Sequence, residues 1–150
     1  MNLAGYNHNI IEVVKFHEVD MLGVCNNAVY FNYFEDARLK YLYNLKQKHS
    51  FKEIMENHSF FMMARNECDY IEPAVLNDEL IIYTKVYFIK KSSFGFKFIV
   101  VRASDKKTIA KGSDVMVHID KQTKKSVPLP DEFKKAVKEF EDEVEIQRSN

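Results

Sequence analysis

The sequence predicts an α+β domain in which a five-stranded antiparallel sheet wraps around one long helix, with a second helix at the C-terminus. Three observations carry that expectation. Aromatic and aliphatic residues recur at three- and four-residue steps from Tyr30 to Leu45, the period of an amphipathic helix. Three β-rich runs after residue 78 are separated by short turns, the pattern of an antiparallel meander. One helix cannot cover both faces of five strands, so the sheet must curl around it or pack on a partner.

Each element follows from local signals. Ile10 to Phe16 reads as a strand, with the β-branched Val13 and Val14 inside it. A charged connection runs from His17 to Asn27 and ends in Asn26-Asn27, side chains favoured as N-caps because their oxygen accepts a first-turn N–H. Tyr30, Tyr33, Phe34, Ala37, Tyr41, Leu42 and Leu45 then mark one face of a helix reaching about Lys48, closed by the polar stretch His49 to His58. Phe60 to Tyr70 reads as a strand, and Glu72-Pro73 through Asn77-Asp78 as a turn. Glu79 to Lys90, Phe94 to Ala103 and Thr108 to Asp120 are the meander, joined at Lys91-Ser92-Ser93 and at Ser104 to Lys107. Pro130 opens the last helix, where a missing N–H costs nothing, and Phe133, Val137, Phe140 and Val144 give it one apolar face. No repeat, linker or change of composition divides the chain, so residues 1–150 are expected to form one domain, and its open edge favours a dimer.

Composition excludes several classes. The 22 basic and 22 acidic residues cancel, so no global field recruits nucleic acid or a membrane surface. Cys25 and Cys68 make neither a disulfide framework nor a CxxC, and five scattered histidines lack metal-ligand spacing, so no metal is expected. The N-terminus lacks a basic segment leading into an apolar run, and the longest uncharged stretch, Met21 to Phe34, is too short and polar to span a bilayer. A cytoplasmic protein without a membrane span is expected. Lys85, Lys90, Lys91, Lys97, Arg102, Lys106, Lys107 and Lys111 face only Asp105 between residues 85 and 111, which predicts a local basic surface.

The run from Val14 to Arg38 contains Asp20-x-x-Gly23, Asn26-Asn27, Tyr30 and Tyr33-Phe34-Glu35-x-Ala37-Arg38. In this spacing it resembles the 4-hydroxybenzoyl-CoA thioesterase family of hotdog-fold acyl-CoA thioesterases. Pro73, Asp78 and Ser92-Ser93 extend the likeness downstream, over roughly residues 10–130 in all. The resemblance implies a catalytic carboxylate at Asp20, as nucleophile or general base, and an oxyanion donor at the Asn27 backbone N–H. The chemistry agrees: thioester hydrolysis needs a base or nucleophile beside the carbonyl, and a helix N-terminus offers N–H groups and positive potential to the developing oxyanion.

The same residues have plainer readings. An Asp before a helix is commonly a loop or charge partner, and Asn26 and Asn27 serve equally as caps. Gly23 either bends the loop tightly or lets substrate approach. The helix aromatics are core by spacing; Tyr30, one turn from Asn27, is the pocket candidate among them, with Phe60 to Met63 as an opposite wall. His17 and Glu18 read as solvated, and Glu35 and Arg38 as an i,i+3 pair. Three positions depart from many relatives, which carry Tyr at Phe16, Thr at Val19 and His at Val24; those side chains assist the Asp or its water. Lys90, Lys91 and Ser92 are where the resemblance implies contacts to coenzyme A phosphates, and an acidic acyl carrier protein would meet the same basic strip. No cofactor is needed, and a homodimer or homotetramer is expected to complete the site. An RNA-recognition strand around Phe94-Gly95-Phe96 fails on flanking residues and element order. Without a histidine between His17 and His49, dehydratase chemistry at the helix start is disfavoured. A non-catalytic acyl binder of the same fold is the other alternative.

Overall fold

The predicted order of strands and helices holds, with one short strand added near the end. The computed structural model describes residues 3–49 and 59–147. In chain order they form β1 (His8–Val13), a 3-10 turn (Phe16–Glu18), α1 (Val29–Lys48), β2 (Ser59–Tyr70), β3 (Glu79–Ile89), β4 (Ser93–Arg102), β5 (Thr108–Asp120), α2 (Asp131–Phe140) and β6 (Glu145–Ile146). The sheet order is β1-β3-β4-β5-β2, with every neighbouring pair on this path antiparallel. The two-residue β6 runs parallel to β3 beside Phe88 and Ile89, which makes six strands rather than five. The sheet curls around α1, and no described helix is long and apolar enough to cross a membrane.

The aromatic stripe of α1 is what the sheet encloses. Tyr30, Tyr33, Phe34, Ala37, Tyr41, Leu42 and Leu45 are all buried, as their spacing requires. Phe34 stacks on Phe98 with ring centroids 4.4 Å apart and lies over Gly112 of β5. A Cβ at Gly112 would come within 2.4 Å of the Phe34 ring, so this glycine is the space the phenyl ring occupies. Further along, Tyr41 sits edge-on to Phe96 and Phe140. Helix α2 lays Phe133 against Phe61 and Phe94, which closes the core beyond the end of α1.

Several boundaries differ from the sequence reading, each for a physical reason. Strand β1 ends at Val13, because Val14 exchanges hydrogen bonds with Asp78 and Asn77 in the facing turn. Phe16 therefore leaves the sheet for the 3-10 turn and is 81% exposed. Helix α1 begins at Val29, two residues after Asn27, because the Asn26-Asn27 pair forms the turn that leads into it. Val144 is not on the last helix: α2 ends at Phe140, and the Glu141 carboxylate turns inward to accept from the Tyr41 hydroxyl and the Val86 N–H. Of the stretch expected to close α1, residues 50–58 lie outside the described residues, and His49 caps the helix through its N–H to Leu45.

The expected Glu35–Arg38 pair does not form. Arg38 is buried and bonds Asp114 of β5 at 2.8 Å, while Glu35 is exposed. Asp114 also accepts the Phe96 N–H. Burial lifts the Asp114 carboxyl to about 6 although Arg38 opposes the shift. This pair fixes the rotation of α1 over the sheet, since removing one partner would strand a charge in the core.

Candidate active site

A short hairpin presents Asp20. Val19 bridges Cys25, and the Asp20 N–H bonds the Val24 carbonyl at 2.9 Å. The Gly23 N–H closes the tip onto the Asp20 carbonyl at 3.0 Å, and Gly23 has φ +78°. Nothing lies within 4 Å of a Cβ built there, so the glycine serves the bend rather than a close approach within this chain. Asp20 Oδ1 accepts the Leu22 N–H at 2.8 Å and, more weakly, that of Val24 at 3.4 Å. Its other oxygen, Oδ2, has no hydrogen-bond partner among the described residues. One half of the carboxylate locks the loop and the other half is unengaged.

The start of α1 is prepared in a matching way. The Asn26 side chain accepts the Ala28 N–H at 2.9 Å, its carbonyl accepts the Val29 N–H, and its own N–H donates to the Glu18 carbonyl. The Asn27 N–H has no partner among the described residues, and the first turn of α1 carries no acidic side chain to offset the helix dipole. Asn26 thus closes the turn that leads into the N-cap residue Ala28, and the Asn27 N–H stays unengaged among the described residues. A hydrogen bond from the Cys25 N–H to the Ala74 carbonyl at 2.8 Å, together with a bridge from Val24 to Val75, pins the hairpin to the turn before β3.

Asp20, Val24, Cys25, Asn27, Tyr30 and Tyr70 share a cavity of about 340 Å3, completed by Ile71, Glu72 and Pro73. Tyr30, the predicted pocket aromatic, is buried in its wall and meets Tyr70 edge-on, centroids 5.5 Å apart. Tyr70 donates its hydroxyl to the Asn27 carbonyl at 2.8 Å. Burial pushes the Tyr30 hydroxyl and the Cys25 thiol above their usual ranges, so both stay protonated and neutral.

Glu18 is not the solvated residue its position in the sequence implied. It is half-buried, accepting the Lys15 N–H at 2.9 Å and the Tyr33 hydroxyl at 2.9 Å. The 3-10 turn is thereby tied to the core beneath α1. His17 is exposed and makes no hydrogen bond to Asp20 among the described residues. Arg102, seen in the sequence only as part of a basic strip, braces the floor of the site. It bonds the Pro73 carbonyl at 3.1 Å, Asp78 at 3.3 Å and Asp105 through two nitrogens at 3.1 Å each.

Lys90, Lys91 and Ser92 lie elsewhere in this chain. They form the β3–β4 turn, at the opposite end of β3 from the Asp78 turn, a strand length of roughly 35 Å away. Ser92 is buried and its carbonyl accepts the His118 N–H. Asp20, Asn27, Gly23 and Tyr30 are brought together, and the β3–β4 turn is not. Among the described residues, no three His, Cys, Asp or Glu side chains are grouped to hold a metal ion.

The profile of the Thioesterase-like superfamily matches residues 14–137. The chain belongs to this hotdog-fold superfamily. The uncharacterized protein YsmA of Bacillus subtilis is 31% identical over 124 residues, which cover 83% of this chain and 80% of that one. A thioesterase from Thermus thermophilus, solved with coenzyme A and zinc, is 28% identical with a TM-score of 0.75, over 91% of this chain and 96% of its own. The 1,4-dihydroxy-2-naphthoyl-CoA thioesterase of Synechocystis shares the fold, with a TM-score of 0.77 over 87% and 94% of the two chains, at 16% identity.

Proposed function

We propose that this thioesterase-superfamily protein, of the 4-hydroxybenzoyl-CoA thioesterase type, hydrolyses an acyl-CoA to a free acid and CoA. One observation carries the reading: Asp20 and Asn27 line the same cavity, the first with an unengaged carboxylate oxygen and the second with an unengaged N–H. The thioester carbonyl would take the Asn27 N–H. Asp20 Oδ2 would then either attack the carbonyl carbon or take a proton from the water that attacks it. In both routes the oxyanion forms beside the Asn27 N–H and the positive end of α1. Its collapse breaks the C–S bond and releases the CoA thiolate, which takes up a proton. On the general-base route this gives the free acid directly, whereas on the nucleophilic route it leaves an acyl-Asp20 anhydride, which a water molecule would then cleave to the acid and the free carboxylate. Neutral Tyr30 and Cys25 keep further negative charge away from the reacting carbonyl.

The phosphates of CoA need cations outside the cavity. The exposed edge of β2 is free to pair with its twofold-related copy. Such a twofold reverses strand direction, so the far turn of one protomer comes to the near end of the other. In a homodimer of this kind the partner subunit's Lys90 and Lys91 would reach the CoA phosphates, and Ser92 would hold the shape of their turn. A tetramer would add a second such pair. The coenzyme A bound to the Thermus relative favours this carrier over an acyl carrier protein, and work on a CoA thioester goes with a cytoplasmic location.

The test is thiol release from short, long and aromatic acyl-CoAs by the wild type and by Asp20→Asn. The variant keeps shape and loses charge and basicity, so the rate should fall at least ~10²-fold. An unchanged rate would remove Asp20 from the mechanism; no release by the wild type from any acyl-CoA or acyl carrier protein would leave an acyl binder.

A further inference from the structure

We infer that Tyr70 is a positioning residue that sets the oxyanion donor through the backbone of Asn27, an inference that rests on the thioesterase reading above. Asn27 lies in the turn before α1, outside the regular helical ladder. In an α-helix its carbonyl would accept the N–H of Phe31, four residues on. Here the Phe31 N–H bonds Ala28 instead, at 3.2 Å, a tighter three-residue step. The Asn27 carbonyl is thereby released from the helix, and the Tyr70 hydroxyl takes it at 2.8 Å.

The peptide groups on both sides of Asn27 are consequently held. Before it, the Asn26 carbonyl accepts the Val29 N–H; after it, Tyr70 grips the Asn27 carbonyl. The N–H between these anchors has no partner among the described residues. Without Tyr70, the Asn27 carbonyl would be free to accept from Phe31, the turn would relax toward α geometry, and the N–H would swing with it. Tyr70 reaches the site from β2, 43 residues away in sequence, and remains 49% exposed. Its edge contact with Tyr30 fixes the ring, and burial raises its hydroxyl above the usual range, so it stays a donor across assay pH.

Tyr70→Phe keeps the ring and deletes the single hydroxyl. Loss of one such hydrogen bond predicts a kcat lower by about three- to tenfold, with KM and Tm close to wild type. Tyr70→Leu, which also removes the ring from the cavity wall, should raise KM in addition. A second readout does not depend on turnover: the 15N order parameter of the Asn27 amide should fall in Tyr70→Phe while those of the α1 interior stay unchanged. A Tyr70→Phe enzyme with wild-type kcat and an unchanged Asn27 order parameter overturns the inference, whereas Asp20→Asn still losing activity in that case would leave the thioesterase reading intact. A kcat that falls only in proportion to lost folded protein would also overturn it, by reducing Tyr70 to a structural role. If the wild type releases no thiol, the thioesterase reading fails, and the inferred role fails with it whatever the amide does.

Discussion

The two ends of α1 are built on opposite plans. At its start Asp20, Gly23, Cys25, Asn26 and Val29 all have partners for their N–H groups, while Asp20 Oδ2 and the Asn27 N–H have none among the described residues, beside a solvent-reaching cavity that both residues line. At its far end the unsatisfied groups are side chains shut inside. Both ring nitrogens of His8, the Thr84 hydroxyl and Glu141 Oε1 are buried without hydrogen-bond partners among the described residues, in a cluster joined by the Tyr41 hydroxyl and the facing positions of His8 and Thr84. Buried polar atoms of this kind lower stability. The unpaired groups at the site end face a cavity that solvent and a ligand can reach, whereas those at the far end are shut inside an aromatic core and lower stability.

Substitutions can break that contrast or sharpen it. The largest effect belongs to Asp20→Asn, expected to cut thiol release at least ~10²-fold while moving Tm little, because the loop bonds to Oδ1 survive in the amide. At the other end, Tyr41→Phe removes a buried partner of Glu141 and should destabilise by about 1–3 kcal/mol in urea unfolding. Its kcat per folded molecule should stay at the wild-type value. A loss of activity in Tyr41→Phe greater than its loss of fold would erase the division of labour.

His8→Leu sharpens the comparison through pH. Burial, helped by Lys40, holds His8 down at about 4, so below its ordinary value the unfolded chain takes up a proton that the folded chain refuses. Stability from this group therefore falls as pH drops from about 6.5 to about 4. Glu12, raised to about 7 by burial and by Asp36, and Asp114, raised to about 6, act in the opposite sense. Each holds a proton folded that it releases unfolded, so stability from them grows as pH falls through those values. With His8 removed, the balance should turn: Tm of His8→Leu should rise between pH 7 and pH 5 relative to the wild type measured alongside. Parallel curves would show that His8 does not titrate with folding.

The smallest expected effect is Gly23→Ala. With open space for its Cβ, the only cost is the left-handed backbone, about 1 kcal/mol. Activity should fall modestly as the Asp20 turn loosens, and a Tm within error of wild type would mean that the turn does not need its glycine.

What the sequence makes legible follows from distance along the chain. Asp20, Gly23, Asn27 and Tyr30 fall within one block of eleven residues, so the family resemblance that points to them can be read from one short run of sequence. The helix is legible for a related reason, since its buried face repeats locally. Tyr70, Glu18 and Arg102 are not, because each acts on a partner brought close only by the fold, 43, 15 and 29 residues away. Phe16 misleads the reading of β1: a phenylalanine after a β-branched run looks like strand, yet the facing turn has claimed Val14. Glu35 and Arg38 mislead too, because helical spacing permits a surface pair but says nothing of Asp114 waiting beneath.

The short β6 has a consequence for how copies of this sheet can add to one another. It lies against β3 where the six-residue β1 leaves off, so that side of the sheet presents two short, staggered segments, while β2 presents a single strand of twelve residues with one irregularity between Met63 and Arg65. Head-to-tail growth would join unlike borders that match in neither length nor offset. Joining β2 to its own copy matches length by construction and leaves only the broken borders outside. If copies pair through β2, such a sheet would close after a single pairing, and the unlike ends would deny it the repeating contact from which fibres grow.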